Sequence, residues 1–97
     1  KLLEDSLTAF KEGNKAQGSQ KMKKFIEVWP IIEGEVRTRN ASLYTKVESE
    51  TPIIMVKGSE QKYQEQLKNL ISELEKKFVS PVNFYVSFIR VVLVKSD

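Results

Sequence analysis

Cysteine and histidine are both absent from this chain of 97 residues. Their absence excludes disulfides, thiolate nucleophiles, zinc sites built on sulfur or imidazole, and the side chain that most often moves protons near neutral pH. It fixes no compartment, because a cysteine-free chain is stable in reducing and oxidising surroundings alike; the cytoplasm is favoured. Only four glycines and three prolines punctuate the chain, and no glycine-rich phosphate cradle is present, since Gly13 and Gly18 have the wrong spacing and no strand before them. Long apolar runs are lacking as well. The longest, Val82 to Val94, covers thirteen residues and contains Arg90, whereas a membrane-spanning helix needs roughly 20.

What is present fits one domain. The chain is 40% hydrophobic and 30% charged, within the globular range, and is too short for more than one core. It opens on Lys1 and reads as a piece excised from a longer protein. Its formal charge of +3 resides in the first half: residues 1–47 hold nine basic and six acidic side chains, residues 48–97 seven of each. Lys15, Lys21, Lys23 and Lys24 form a run without an intervening acid, suited to phosphate or an acidic partner, or simply to solvent.

Hydrophobic spacing suggests the elements. Leu3, Leu7 and Phe10 mark a short amphipathic helix over residues 1–12 that ends at Gly13-Asn14 and serves as an N-terminal helix or appendage. Residues 13–20 read as a linker, and 21–97 as a single α+β domain. In it, Ser19 caps a helix carrying Met22, Phe25, Ile26 and Trp29, which Pro30 breaks or kinks. Leu43 to Val47 alternates as a half-buried strand does, and Ile53 to Val56, bounded by Pro52 and Gly58, reads as a buried one. Tyr63, Leu67, Leu70, Ile71, Leu74 and Phe78 form one continuous helical stripe behind a Ser59 cap, with Glu73 and Lys77 spaced for an ion pair. Val82 to Val94 reads as a long final strand. The expected fold is therefore α+β, order α-α-β-β-α-β, a small antiparallel or mixed sheet with helices on one face.

Function is less legible. Catalysis needs a nucleophile beside a base, a metal held by suitable ligands, or a phosphate cradle, and no such constellation or cofactor motif is written here. The acid pairs Glu33/Glu35 and Glu48/Glu50 are most simply solvated charge. The expectation is a non-catalytic protein interaction module that binds another protein or domain of the same assembly. Trp29 with Phe25, Ile26 and Tyr44 is its candidate anchor, because Trp and Tyr dominate interface hot spots, although a Trp on an apolar helical stripe is equally the mark of a core. The alternative is nucleic-acid binding through Lys15, Lys21, Lys23, Lys24, Arg37 and Arg39. The sequon Asn40-Ala41-Ser42 is a three-residue match that arises often by chance.

One stretch carries a likeness. Phe25-Ile26-Glu27-Val28-Trp29, Asn40-Ala41-Ser42-Leu43-Tyr44 and Glu50-Thr51-Pro52, followed by the long helix and a last strand, resemble the C-terminal domain of the bacterial DNA polymerase III tau subunit over about two-thirds of the chain. An extra strand expected before the long helix is missing. The resemblance implies a truncated KH-like fold and a tethering role in a multi-subunit assembly such as the replication machinery; it assigns no individual binding residue.

Overall fold

In the computed structural model, residues 2–78 are described, and they form four helices: α1 Leu2–Lys11, α2 Lys15–Arg39, α3 Ala41–Lys57 and α4 Gln61–Phe78. No strand occurs among them. The α+β expectation is thereby corrected to an all-α arrangement of the described residues; the final strand expected at Val82 to Val94 lies outside them.

The first helix stops where glycine spacing says it should. Gly13 takes φ of 82°, a left-handed conformation that other residues adopt at a steric cost. Its N–H donates to the Phe10 carbonyl at 3.1 Å, and that of Asn14 donates to Ala9 at 2.9 Å, so two otherwise orphaned carbonyls at the helix end are satisfied. Asn14 then caps α2, its side chain accepting from the Gln17 N–H at 3.1 Å. The expected linker is consequently short, because Lys15 to Gln20 are already helical, and the cap lies five residues before Ser19.

The continuity of α2 overrides the break expected at Pro30. Met22, Phe25, Trp29, Ile32 and Val36 are all buried on one stripe that passes the proline without changing phase. Pro30 itself is exposed. An interior proline leaves the carbonyl four residues earlier, here that of Ile26, without its helical partner, a cost that is lower on an exposed flank than inside a core. Burying five large side chains at about 1.5–3 kcal/mol each outweighs the ~3 kcal/mol that an interior proline costs.

The same reasoning corrects the expected hairpin. Leu43 to Val47 and Ile53 to Val56 both belong to α3, where Leu43, Val47, Thr51 and Ile54 make one buried helical stripe. Three of its serine and threonine hydroxyls are satisfied within the helix: Thr45 donates to the Ala41 carbonyl at 3.1 Å, Ser49 to Lys46 at 3.2 Å and Thr51 to Val47 at 2.8 Å. Pro52 again faces outward. Asn40 joins α2 to α3 alone, its N–H closing the last turn of α2 on Val36 at 2.8 Å and its side chain accepting from the Leu43 N–H at 2.9 Å.

In α4 the expected stripe is present: Leu67, Leu70, Ile71 and Leu74 are buried, and Tyr63 packs partly against them. The Glu60 carbonyl accepts from Gln64 at 3.1 Å, so the capping position before α4 is Glu60 rather than Ser59. Glu73 bonds Lys46 of α3 at 2.6 Å. Each helix packs on the next, and α1 closes back on α4, which makes α1 part of the bundle; the connections are short, as in up-and-down bundles. Phe10 of α1 wedges between Gly18 of α2 and Gly58 at the end of α3. A methyl at either glycine would overlap its ring, at Gly18 to within 2.6 Å. The Ser6 hydroxyl donates to the Gly18 carbonyl at 2.8 Å and fastens the same junction.

Candidate functional site

The single-residue link at Asn40 lays α3 antiparallel against α2, and side chain size along the resulting seam decides what is closed and what is open. From its middle toward Asn40, bulk fills it. Phe25 and Trp29 stack with ring centroids 5.7 Å apart, Trp29 and Tyr44 stack at 6.1 Å, and the Arg37 guanidinium lies 5.5 Å over the Tyr44 ring. The Trp29 indole N–H donates to the Glu48 carboxylate, so its one polar atom is satisfied.

This places the expected anchors. Phe25 is fully buried and Trp29 is 5% exposed, so both are core residues in this conformation and neither offers a surface to a partner. Ile26 and Tyr44 are half-buried and pack against the same core. The structure does bring Phe25, Trp29 and Tyr44 together, in a stack that ties α2 to α3.

At the other end the seam is lined by small or thin side chains. Lys15, Ala16, Ser19, Gln20 and Lys23 of α2 face Met55 and Val56 of α3 across a shallow groove of about 410 Å³. The Ser19 hydroxyl donates to the Met55 carbonyl at 2.6 Å, which holds the last turn of α3 in place and occupies a carbonyl that the helix leaves unpaired. Val56 is 58% exposed and Ile53, one turn earlier on α3, is 45% exposed. The floor is apolar, the rim carries two lysines, and none of these lining side chains is acidic.

The six expected basic residues do not form one face. Lys15 and Lys23 lie on the groove, but Lys24 projects roughly 100° and Lys21 roughly 200° around α2 from Lys23. Arg37 lies about 21 Å farther along the axis at 1.5 Å per residue. Arg37 covers Tyr44 and Arg39 pairs with Glu35 at 3.6 Å, so both arginines already engage side chains of this chain.

A third polar group lies between α3 and α4. The hydrogen bond from Lys46 to Glu73 holds the ammonium above its ordinary range. Glu50, one turn along α3, has its carboxyl pushed up, chiefly by burial, with Glu73 adding to the rise and Lys46 opposing it. One Glu50 oxygen is buried and has no hydrogen-bond partner. Among the described residues no three acidic, histidine or cysteine side chains converge as metal ligands, and no helix is long and apolar enough to cross a membrane.

Sequence reasoning missed Met55, Val56 and Ile53 as surface residues because it placed them in a buried strand. The signal that would have found them is phase. Once Leu43, Val47, Thr51 and Ile54 are read as one helical stripe, Ile53 and Val56 fall off it. Comparison with known protein families, with curated proteins and with solved structures returned no match to this chain.

Proposed function

We propose that this domain is a non-catalytic protein interaction module that docks a partner on the groove between the N-terminal half of α2 and the C-terminal end of α3. One observation carries the reading: Val56, 58% exposed, stands on an apolar floor beside exposed Ile53. An exposed valine alone is ordinary, but contiguous apolar surface with a polar rim is the anatomy of a docking site. The likeness to the tau C-terminal domain also implied tethering within an assembly, but the KH-like fold it implied is not the all-α one of the described residues, and it adds no support here. Nucleic-acid binding has less support, because the basic side chains are dispersed around and along α2 and the two arginines have partners.

The test is site-specific photo-crosslinking in cells that make the protein. Benzoylphenylalanine at Val56 is expected to give a discrete adduct that protease removes and nuclease does not, while the same probe at exposed Asn69 on α4 gives none. Equal labelling from both positions, or no adduct from Val56, would remove the reading. A nuclease-sensitive adduct would replace it with the nucleic-acid alternative.

A further inference from the structure

The geometry points to an acidic amphipathic helix as the occupant of this groove, an inference that rests on the docking reading above and adds the partner's chemistry. Three features of the groove argue for it. The rim charges, Lys15 and Lys23, are of one sign and no carboxylate lines the groove, so the complementary occupant presents acids flanking its apolar face. Lys15, Ser19 and Lys23 follow one another at i, i+4 and i+8, a ridge of about 12 Å, which matches about two turns of a helix laid along it. The floor is made of Ala16, Met55 and Val56. Methionine adapts its shape to varied apolar side chains, whereas a nucleic acid would ask for aromatic faces on which bases stack. Charge also argues against two occupants supplied by the chain itself. Residues 79–97 carry Arg90 and Lys95 against Asp97, and a second copy carries net +3; neither complements a basic rim.

The test uses the full chain, isotope-labelled, and a synthetic helical peptide of about fourteen residues with Leu at i, i+4 and i+7 and Glu at the flanking positions. Amide shifts are expected over residues 15–23 and 53–57, with binding that weakens as salt rises. The same peptide with Lys for Glu should bind at least about tenfold more weakly, and the Lys15→Glu, Lys23→Glu double variant should reverse that preference, since two rim pairs and the repulsion that replaces them are together worth about that factor. Val56→Asp should abolish binding of the Glu peptide; both variants alter exposed side chains and are expected to keep the parent amide dispersion. Equal binding of the two peptides, or binding unaffected by Val56→Asp, would overturn the proposal. So would displacement of the peptide by a single-stranded oligonucleotide, which would make phosphate the ligand. A spin label at Ser87→Cys, unique in this cysteine-free chain, gives the last arm: broadening of the groove amides would assign the groove to residues 79–97 instead. If the Val56 photoprobe finds a partner but the Glu peptide does not bind, the partner's chemistry is wrong and the docking reading stands; if the photoprobe also fails, both are lost.

Discussion

The two ends of the α2–α3 seam are built by the same pair of helices and differ in the bulk and charge of their side chains. Near Asn40, Phe25, Trp29 and Tyr44 stack across it and Glu48 takes up the indole N–H; near Lys15, Ala16 and Ser19 face Met55 and Val56 and leave a groove. The open end does not collapse, because Phe10 holds α1, Gly18 and Gly58 together just behind it and Ser19 bonds the Met55 carbonyl. The closed end is therefore held by its ring stack, while the open end exposes Val56 and Ile53 beside the groove and Ile31 is exposed farther along α2, and a substitution's consequence should depend on which end it touches.

The largest effect should come from Trp29→Ala, which removes the middle ring of the stack and leaves Glu48 without its donor. A loss of about 3–5 kcal/mol is expected in chemical denaturation, and a loss under about 1 kcal/mol would mean that the closed end is not core. Pro52, exposed on α3 next to Ile53, offers the opposite sign. Pro52→Ala restores a donor toward the Glu48 carbonyl and should raise stability by up to ~3 kcal/mol; destabilisation would show that α3 is not one continuous helix. Gly18→Ala should cost about 1–3 kcal/mol by overpacking against Phe10, which would show as a lower Tm.

Two smaller effects sharpen the contrast. Glu50 is held above its ordinary value of 4.5 mainly by burial, so its folded form binds a proton more readily than the unfolded chain does. Its contribution favours folding below that value and is lost as pH rises through the raised one. Glu50→Gln should accordingly raise Tm at pH 7, with the difference shrinking as pH is lowered through about 4.5. Val56→Asp, at the open end, should change stability by less than about 0.5 kcal/mol while removing partner binding, the separation of fold from function that the closed end does not permit.

How much of this was readable from the residues depends on whether two periodicities coincide. In α4, Leu67, Leu70, Ile71 and Leu74 fit a helix and nothing else, and α1 with its Gly13 stop was equally plain. In α3, Leu43, Thr45 and Val47 alternate as a strand would, and Ile53 to Val56 is β-branched and compact, yet Leu43, Val47, Thr51 and Ile54 also lie on one helical stripe. Proline decided the reading wrongly, both here and at Pro30. A proline's position around the helix matters more than its presence, because on the solvent flank the lost donor and freed carbonyl are compensated by water. Trp29 was ambiguous for a different reason: a core tryptophan and a hot-spot tryptophan share one sequence pattern, and only Tyr44, Glu48 and Phe25 around it decide between them. The groove is not legible in the sequence because it depends on residues from two helices, and the pattern of one of them, α3, also fits strands.

The central claim is that recognition occurs at the open end of the seam. Amide shift mapping of the labelled full chain during titration with the Glu-bearing helical peptide tests it most directly. The expected result is perturbation concentrated in residues 15–23 and 53–57 with residues 37–48 unmoved; the largest shifts falling instead on Arg37, Tyr44 and Glu48 would contradict it.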